Sequence, residues 1–578
     1  MTVSNMVNKL LPSVLWRNTD IYQSRKAIVC TGSTTSYHSL KRQSSYINAL
    51  LAEYGIGRGH TVGIMLNRGH ALVPAMLGCW SVGATFFPLD PTYPLGRLEQ
   101  YTTLTNPSLI ITDKETRILA EKLKCKVIEI DDEVLRRWEQ ICSFEIPLPN
   151  DLAYILFTSG STGAPKGVKI SHESLANFME SIAKRLSLTE RDVSLAHSTV
   201  CFDVSILELL LPLYCGGIVL ITTANQSSDP AEIAKLLEEA TFIHATPSYL
   251  QIMVATGWKP HNRLTVLSGA EAIRPSLVKC LKNAKAVWNL YGPTEATVYA
   301  SSYKIEENDT IIPIGLPFNN VSFHVLDDNH EPCKNGGLYI GGKGLCVGYC
   351  NEDESRFVNY PVSNERLYQT GDMVRMLPSG DIEWLGRSGS ELKVRGNRVA
   401  PKEIETALEE IDVINLSIVI LSEFEERQYE ALTAYLITNQ SISKREIVEK
   451  LTQKLPQYMI PECYILIDEF PITPNGKVDP LMLPKPCRNN ILKNSDEKPD
   501  ELEIEPSSEL IMMVCDVFSQ VANMSSFSAT ERFEDSGINS ISIIIAAQKL
   551  SDKLGWKVTS EEIRNAQSPI DLARKITS

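Results

Sequence analysis

Short apolar, β-branched runs alternate with stretches of helical period along the first four hundred residues. Examples are Thr61-Val62-Gly63-Ile64-Met65-Leu66, Ser108-Leu109-Ile110-Ile111-Thr112 and Gly217-Ile218-Val219-Leu220-Ile221. This alternation predicts βα units and sheets covered by helices, with ligands at the loops that leave the strand ends. Near Gly389 the pattern changes to a smaller α+β unit, with strands over 413–421 and 429–436 and a helix over 443–455. From Pro484 to Ser507 the chain carries Pro, Asn, Lys, Asp and Glu with few large apolar side chains, the composition of a tether. Apolar faces at helical spacing return over 509–521 and 541–554, followed by shorter helices near Ser560 and Pro569, which predicts a small helical bundle. The expected organisation is a large core over 1–388, a small unit over 389–487, a linker over 488–507 and a bundle over 508–578.

A chain of 578 residues is too long for one hydrophobic core, which agrees with several units. The formal net charge of −14 argues against a nucleic acid or an anionic membrane as partner. Thirteen cysteines are scattered without a CxxC pair, so no disulfide framework or zinc site is expected and a reducing, cytoplasmic home is. The first fifteen residues lack the features of a signal peptide, and the most apolar stretch, 206–221, is broken by Glu208, Pro212, Gly216 and Gly217. No transmembrane segment is predicted.

The most chemically pointed stretch is Thr158-Ser159-Gly160-Ser161-Thr162-Gly163, followed by Pro165-Lys166-Gly167. Its glycines let backbone N–H groups turn toward an anion, its hydroxyls add donors, and Lys166 adds charge. Lys166 follows a proline and precedes a glycine, so this is not the Gly-Lys-Ser/Thr loop that opens a helix. The string TSGSTGAPKGVKISH resembles the core signature of the adenylate-forming superfamily: acyl-CoA synthetases, luciferases and peptide-synthetase adenylation domains.

Further segments resemble that superfamily in the required order. FFPLDPTYP (86–94) is similar to an early adenylation-domain segment. In NLYGPTE (289–295), the resemblance implies that Tyr291 stacks on adenine, Asn289 reaches the edge of the base, Gly292 and Thr294 line the ATP site, and Glu295 helps hold magnesium. YQTGD (368–372) resembles the ribose motif, with Asp372 on the hydroxyls, and Gly386-Arg387 opens the hinge signature, where Arg387 reaches ribose or phosphate. Lys477 in PITPNGKVDP matches the mobile catalytic lysine of the small subdomain. Two positions depart from the pattern. Gly389 stands at the hinge pivot where Asp or Lys is usual, and Gly337 stands where Glu is customary.

Phe202-Asp203-Val204-Ser205 resembles the pattern of amino-acid-activating members, in which the Asp pairs with the substrate's α-ammonium. As a plain reading, Asp203 could instead cap the helix that follows. Read by resemblance, the substrate pocket is Asp203, Val204, Leu207, His244, Val266, Ser268, Leu290, Val298 and Tyr299, with Lys477. That set is similar to a serine-type pocket, and His244 and Ser268 offer polar groups for a hydroxyl. L-Serine is the first expectation; threonine or another small polar amino acid is the alternative.

Asp535-Ser536-Gly537-Ile538-Asn539-Ser540 precedes a new apolar helix and resembles the phosphopantetheine attachment site of peptidyl carrier proteins. Ser540 alone would also suit a helix cap. The fold class expected is therefore α/β (α+β): a large core with helix-covered sheets, a small mobile α+β subdomain, and a four-helix carrier bundle. The resemblance implies an ATP- and Mg2+-dependent amino acid ligase of nonribosomal peptide or hybrid natural-product synthesis. It would load 4′-phosphopantetheine on Ser540, installed by a phosphopantetheinyl transferase. No HHxxxDG or GxSxG motif occurs, so a condensation or acyltransferase protein would act in trans. An acyl- or aryl-CoA synthetase, and a non-catalytic carrier protein with a degenerate ligase domain, are the alternatives.

Overall fold

The computed structural model describes residues 7–159, 165–227, 229–351, 353–387, 392–394, 396–423, 430–471, 482–487, 490–492, 507–522, 524, 526–533, 536, 538, 540–554, 556 and 558–576. Two large sheets share one apolar core. The first has nine strands in the order Leu316–Pro317, Ser301–Ile305, Ala286–Tyr291, Thr265–Gly269, Phe242–Ala245, Val193–Ala196, Ile218–Ile221, Lys26–Cys30 and Ser33–Ser36. The strands from Ala286–Tyr291 through Lys26–Cys30 pair in parallel. The second has seven strands, with Thr85–Pro88, Thr61–Met65 and Leu109–Thr112 parallel and Leu152–Thr158 antiparallel to Lys166–Ser171.

Parallel strands buried on both faces read as nearly continuous apolar runs, which is how 61–66, 108–112 and 217–221 announce themselves in the sequence. The strands form over Thr61–Met65, Leu109–Thr112 and Ile218–Ile221. Helix Val204–Tyr214 is apolar nearly all round because every residue from Val204 to Leu213 is buried. The one carboxylate in it, Glu208, is fully buried and accepts from the amides of His197 and Ser198, each at 2.9 Å, and from Ser198 Oγ at 2.6 Å. Those bonds offset the cost of burying a charge.

A third, antiparallel sheet holds Val321–Leu326, Asn335–Gly342, Arg366–Met376, Phe357–Asn359 and Ile382–Arg387. Its register sets Asp372 directly opposite Arg387. Gly337 lies in the second of these strands. A Cβ there would meet the Tyr339 ring at 3.4 Å and the Leu326 carbonyl oxygen at 3.8 Å, both ordinary contacts, so no local steric demand explains the glycine.

Past residue 391, hairpin strands Leu392–Val394 and Asn397–Val399 lead into a smaller body with its own core of Ile404, Leu408, Leu432, Leu436, Leu451 and Tyr464. Its strands are Ile414–Glu423, Glu430–Thr438 and Cys463–Leu466. Its helices are Pro401–Glu409 and Lys444–Thr452, the second opened by a Ser443–Glu446 capping box. The last unit packs helices Ser508–Val521, Ser540–Leu554, Ser560–Arg564 and Pro569–Lys575 around Val514, Phe518, Leu550 and Leu572. Helix Ser540–Leu554 rests on helix Pro247–Ala255 of the large unit. Among the described residues no helix is long and apolar enough to cross a membrane.

One ion pair ties the small body to the large one. Arg97, in helix Leu95–Thr105, bonds Glu403, in helix Pro401–Glu409, with side chains 2% and 4% exposed. Arg97 Nε also donates to Tyr101 Oη at 3.2 Å. Truncating one partner of such a buried pair leaves the other charge uncompensated, at about 3–5 kcal/mol. Glu403→Ala is therefore expected to loosen the seating of the small body. Amide hydrogen exchange across 392–409 should rise several-fold while the carrier bundle is unaffected; unchanged exchange there would mean that the pair does not hold this arrangement.

Candidate active site

The cleft lies where strand ends of the large unit meet the 392–399 hairpin. Of the residues expected from sequence, Thr158, Ser159, Asp203, Val204, Tyr291, Gly292, Thr294, Val298, Tyr299, Asp372 and Arg387 line it. Tyr93, Cys201, Lys393, Asn397, Arg398 and Tyr458 line it too and were not anticipated. Local sequence could not reveal them, because they arrive through contacts between distant segments. The expected sites Gly160, Ser161, Thr162, Gly163, Gly389 and Lys477 lie outside the described residues. Ser540 opens its helix, but its side chain lies outside the description as well.

Three buried carboxylates at or just behind this cleft differ in their electrostatics: two are held ionised by arginines and one is not. Asp372, 3% exposed, accepts from Tyr291 Oη at 2.5 Å, Trp384 Nε1 at 3.0 Å and Arg387 Nε at 3.1 Å. Burial works to raise its pKa, but Arg387, Lys393 and these hydrogen bonds outweigh it and hold the carboxyl below its ordinary value. Glu295 accepts from Arg398 Nη1 at 3.0 and 3.2 Å and from Tyr349 Oη at 2.7 Å. Again burial raises and the arginine wins, so Glu295 is held ionised.

Asp203 is the exception. It is 5% exposed, and among the described residues it forms no ion pair. Burial pushes its carboxyl up to about 6, with a hydrogen bond from Thr294 pulling the other way and the nearby Glu295 adding to the rise. Its side chain does not cap the helix it precedes, although the adjacent Val204 amide and the Lys393 charge both act to lower its pKa. Burial outweighs them, leaving a carboxylate at the cleft wall without an ion pair among the described residues.

Other expected residues sit differently. Lys166 Nζ is bound to Asp353 at 2.6 Å and lies 5.1 Å from the Tyr349 ring centre. That bond holds the Asp353 carboxyl far below its usual range. Asn289 Nδ2 donates to the Pro313 carbonyl at 2.7 Å, in a buried position behind the cleft wall. Ser159 Oγ donates to the Arg398 carbonyl at 2.5 Å. On strand Thr265–Gly269, Val266 packs with Ile243 and Val287 on one face of the sheet. Leu267 packs with Leu207, Leu290, Val298 and Tyr299 on the other. The pocket face therefore carries Leu267 and Gly269 rather than Val266 and Ser268, a one-residue slip that strand alternation inverts completely. His244 is on the pocket face but stands behind Tyr299, whose phenol oxygen is 2.7 Å from His244 Nε2.

Residues 15–350 match the family model described as AMP-binding enzyme. The chain belongs to that family. Residues 403–477 match the AMP-binding enzyme C-terminal domain and residues 509–576 the phosphopantetheine attachment site, so this AMP-binding enzyme carries its acceptor domain on the same chain. It is 33% identical over 547 residues to a dimodular nonribosomal peptide synthase of Bacillus subtilis (strain 168), covering 91% of this chain and 22% of that protein. It is 30% identical over 557 residues to tyrocidine synthase 3 of Brevibacillus parabrevis, covering 94% of this chain and 8% of that one. The chain thus spans less than a quarter of either relative.

Among solved structures it is similar to the four-domain nonribosomal peptide synthetase holo-AB3403 bound to AMP and glycine. That likeness has TM-score 0.62 and 30% identity over 98% of this chain and 42% of that one. It shares the fold of holo-PA1221, a protein with adenylation and PCP domains, at TM-score 0.79 and 18% identity over 98% and 96% of the two chains.

The family's magnesium is tested by Glu295. A hard, buried carboxylate held ionised beside the cleft residue Thr294 is of the kind that suits Mg2+, which takes one or two carboxylates and otherwise water and phosphate oxygens. Arg398 is paired with Glu295 in this structure, so a magnesium ion at that carboxylate would have to compete with it.

The state of Asp203 has a measurable consequence for stability. Its folded pKa lies above its unfolded value, so its contribution is fully present below about pH 4 and lost as pH rises through about 6. Asp203→Asn, which imitates the protonated form, is expected to stabilise the protein by about 2–3 kcal/mol at pH 7.5 and by little at pH 4. Denaturant melts at the two pH values check this; equal gains at both would contradict the assigned charge state.

Proposed function

We propose that the chain uses ATP to activate the carboxylate of a small amino acid as its aminoacyl-AMP, then passes the aminoacyl group to its own carrier unit at Ser540. The observation that carries the reading is Asp203, a buried carboxylate that forms no ion pair among the described residues and lines the same cleft as Tyr291, Asp372 and Arg387. An acyl- or aryl-CoA synthetase gains nothing from such an anion, and a neutral acid would leave it unpaired at about 3–5 kcal/mol. An α-ammonium satisfies it.

A carboxylate is already a nucleophile, so no general base is needed. Its oxygen attacks the α-phosphorus and pyrophosphate leaves, and the difficulty is bringing two anions together. Lys477 is the proposed countercharge, with Asp372 and Arg387 holding ribose and the loop hydroxyls of 158–162 proposed for phosphate; Lys166, paired with Asp353 here, would have to leave that partner to join them. Mg2+, when bound at Glu295, neutralises developing charge on the phosphates. For the second step Ser540 would carry 4′-phosphopantetheine, whose thiol would supply the nucleophile that accepts the aminoacyl group as AMP leaves. Support for carrier loading comes from helix Ser540–Leu554 resting on helix Pro247–Ala255 of the large unit.

The assignment of units is 1–388 and 389–487 for the two parts of the adenylating enzyme, rotating about Gly389, a 488–507 linker, and 508–578 for the carrier. A phosphopantetheinyl transferase, and a condensation or acyltransferase protein downstream, are the proposed partners. A tether of this kind keeps the carrier at high effective concentration.

For the side chain, the serine expectation loses its two supports. His244 is engaged by Tyr299, and Ser268 is on the far face of the sheet from the pocket. A small side chain remains, and the relative solved with AMP and glycine agrees with that size.

Amino-acid-dependent ATP–pyrophosphate exchange over a twenty-amino-acid panel tests the reading. Lys477→Ala is expected to lower exchange about 10²–10³-fold with ATP binding retained. Ser540→Ala should keep exchange and lose covalent loading with radiolabelled amino acid. KM for the amino acid should fall about tenfold from pH 5 to pH 7 as Asp203 ionises near 6, because only the ionised form pairs with the ammonium. Exchange driven equally by acids lacking an amino group would overturn the reading.

A further inference from the structure

The most strained backbone near the cleft is the corner that carries Tyr299. Thr297 and Val298, both β-branched, have φ of 59° and 65°, a region such residues almost never occupy. The Tyr299 amide donates to the Thr297 carbonyl at 2.8 Å, so Val298 is the middle of a γ-turn of the rare positive-φ kind. Strain of this sort persists only where its surroundings over-determine it. Here Thr297 Oγ1 is bonded to the Gly344 carbonyl at 2.7 Å, and the Ala300 amide to the Tyr291 carbonyl at 2.8 Å.

The corner throws the Tyr299 side chain across the end of the pocket, where it is fixed at both ends. Its phenol oxygen is 2.7 Å from His244 Nε2. Its ring seats on Gly269, where a Cβ would fall 2.6 Å from that oxygen. Its backbone is backed by Gly292, where a Cβ would fall 2.6 Å from the Tyr299 Cα. Tyr299 is 2% exposed and Leu207, Leu267 and Leu290 are packed around it. Tyr299 and Val298 line the cleft, while His244 and those leucines do not. The space beyond Asp203 that a substrate side chain would occupy is therefore filled by a side chain of the protein.

We propose that Tyr299 is a built-in plug that restricts the site to glycine. The inference rests on the amino acid activation proposed above and deepens it. The ring substitutes for the substrate's missing side chain, so a larger amino acid must displace a residue pinned by His244, Gly269 and a strained turn.

The experiment is pyrophosphate exchange with glycine, alanine, serine, valine and leucine, using the full chain and Tyr299→Ala. The unaltered chain should have its highest kcat/KM with glycine and fall at least about 100-fold for valine and leucine. In Tyr299→Ala the valine-to-glycine ratio of kcat/KM should rise at least about tenfold. If that variant fails to fold, Tyr299→Leu opens a shorter space and should raise the alanine and serine ratios instead. Valine accepted as well as glycine by the unaltered chain, or ratios unmoved in the folded variants, overturns the plug while leaving amino acid activation standing. An unaltered chain that binds ATP but activates no amino acid sinks the activation reading itself, and the plug with it.

Discussion

The carboxylate of Asp203, buried without an ion pair among the described residues, is the constraint on which the proposed site depends. Around it the protein has settled its other charges. Arg387 holds Asp372 ionised and Arg398 holds Glu295 ionised, each by an ion pair at 3.0–3.1 Å. Of these three carboxylates Asp203 is the one whose pKa burial pushes up. In the function proposed above, a substrate ammonium would complete it on binding. Stability is given up in the free protein and recovered as affinity.

The fold makes this cost bearable. Asp203 sits at the start of a helix buried on all sides, between sheets that share one core, so its position cannot relax toward solvent. Asp372 and Arg387 are set opposite each other by strand register rather than by loop geometry, which fixes the polar end of the cleft. The 392–399 hairpin closes the remaining side, with Arg398 on Glu295 and its carbonyl on Ser159. If magnesium binds Glu295 as proposed, it would compete with Arg398 for that carboxylate and so oppose this seating of the hairpin. The Arg97–Glu403 pair stabilises the seating from the opposite end of the small body.

Much of this was legible in the sequence, for physical reasons. Buried parallel strands must be apolar throughout, so their positions were readable to within about two residues, as were the helices of the carrier. Tyr291, Asp372 and Arg387, the residues proposed for the nucleotide, fall within short contiguous motifs, so resemblance of those motifs to the superfamily suffices to pick them out. The pocket was harder. On strand Thr265–Gly269 a shift of one residue exchanges the two faces, and only the packing of Leu267 against Tyr299 and of Val266 against Val287 shows which face meets the cleft. The reach of Tyr299 to His244 depends on positive φ at two β-branched residues, which no propensity would forecast. Lys393, Arg398 and the Arg97–Glu403 pair were missed because they are meetings of segments far apart in the chain.

The most direct test is a crystal structure of the protein with a non-hydrolysable glycyl-adenylate analogue. The account predicts the analogue's ammonium within hydrogen-bond distance, about 2.7–3.2 Å, of an Asp203 carboxylate oxygen, with the Tyr299 ring unmoved beside its α-carbon. An ammonium bound elsewhere, with Asp203 still lacking a cation, would contradict it.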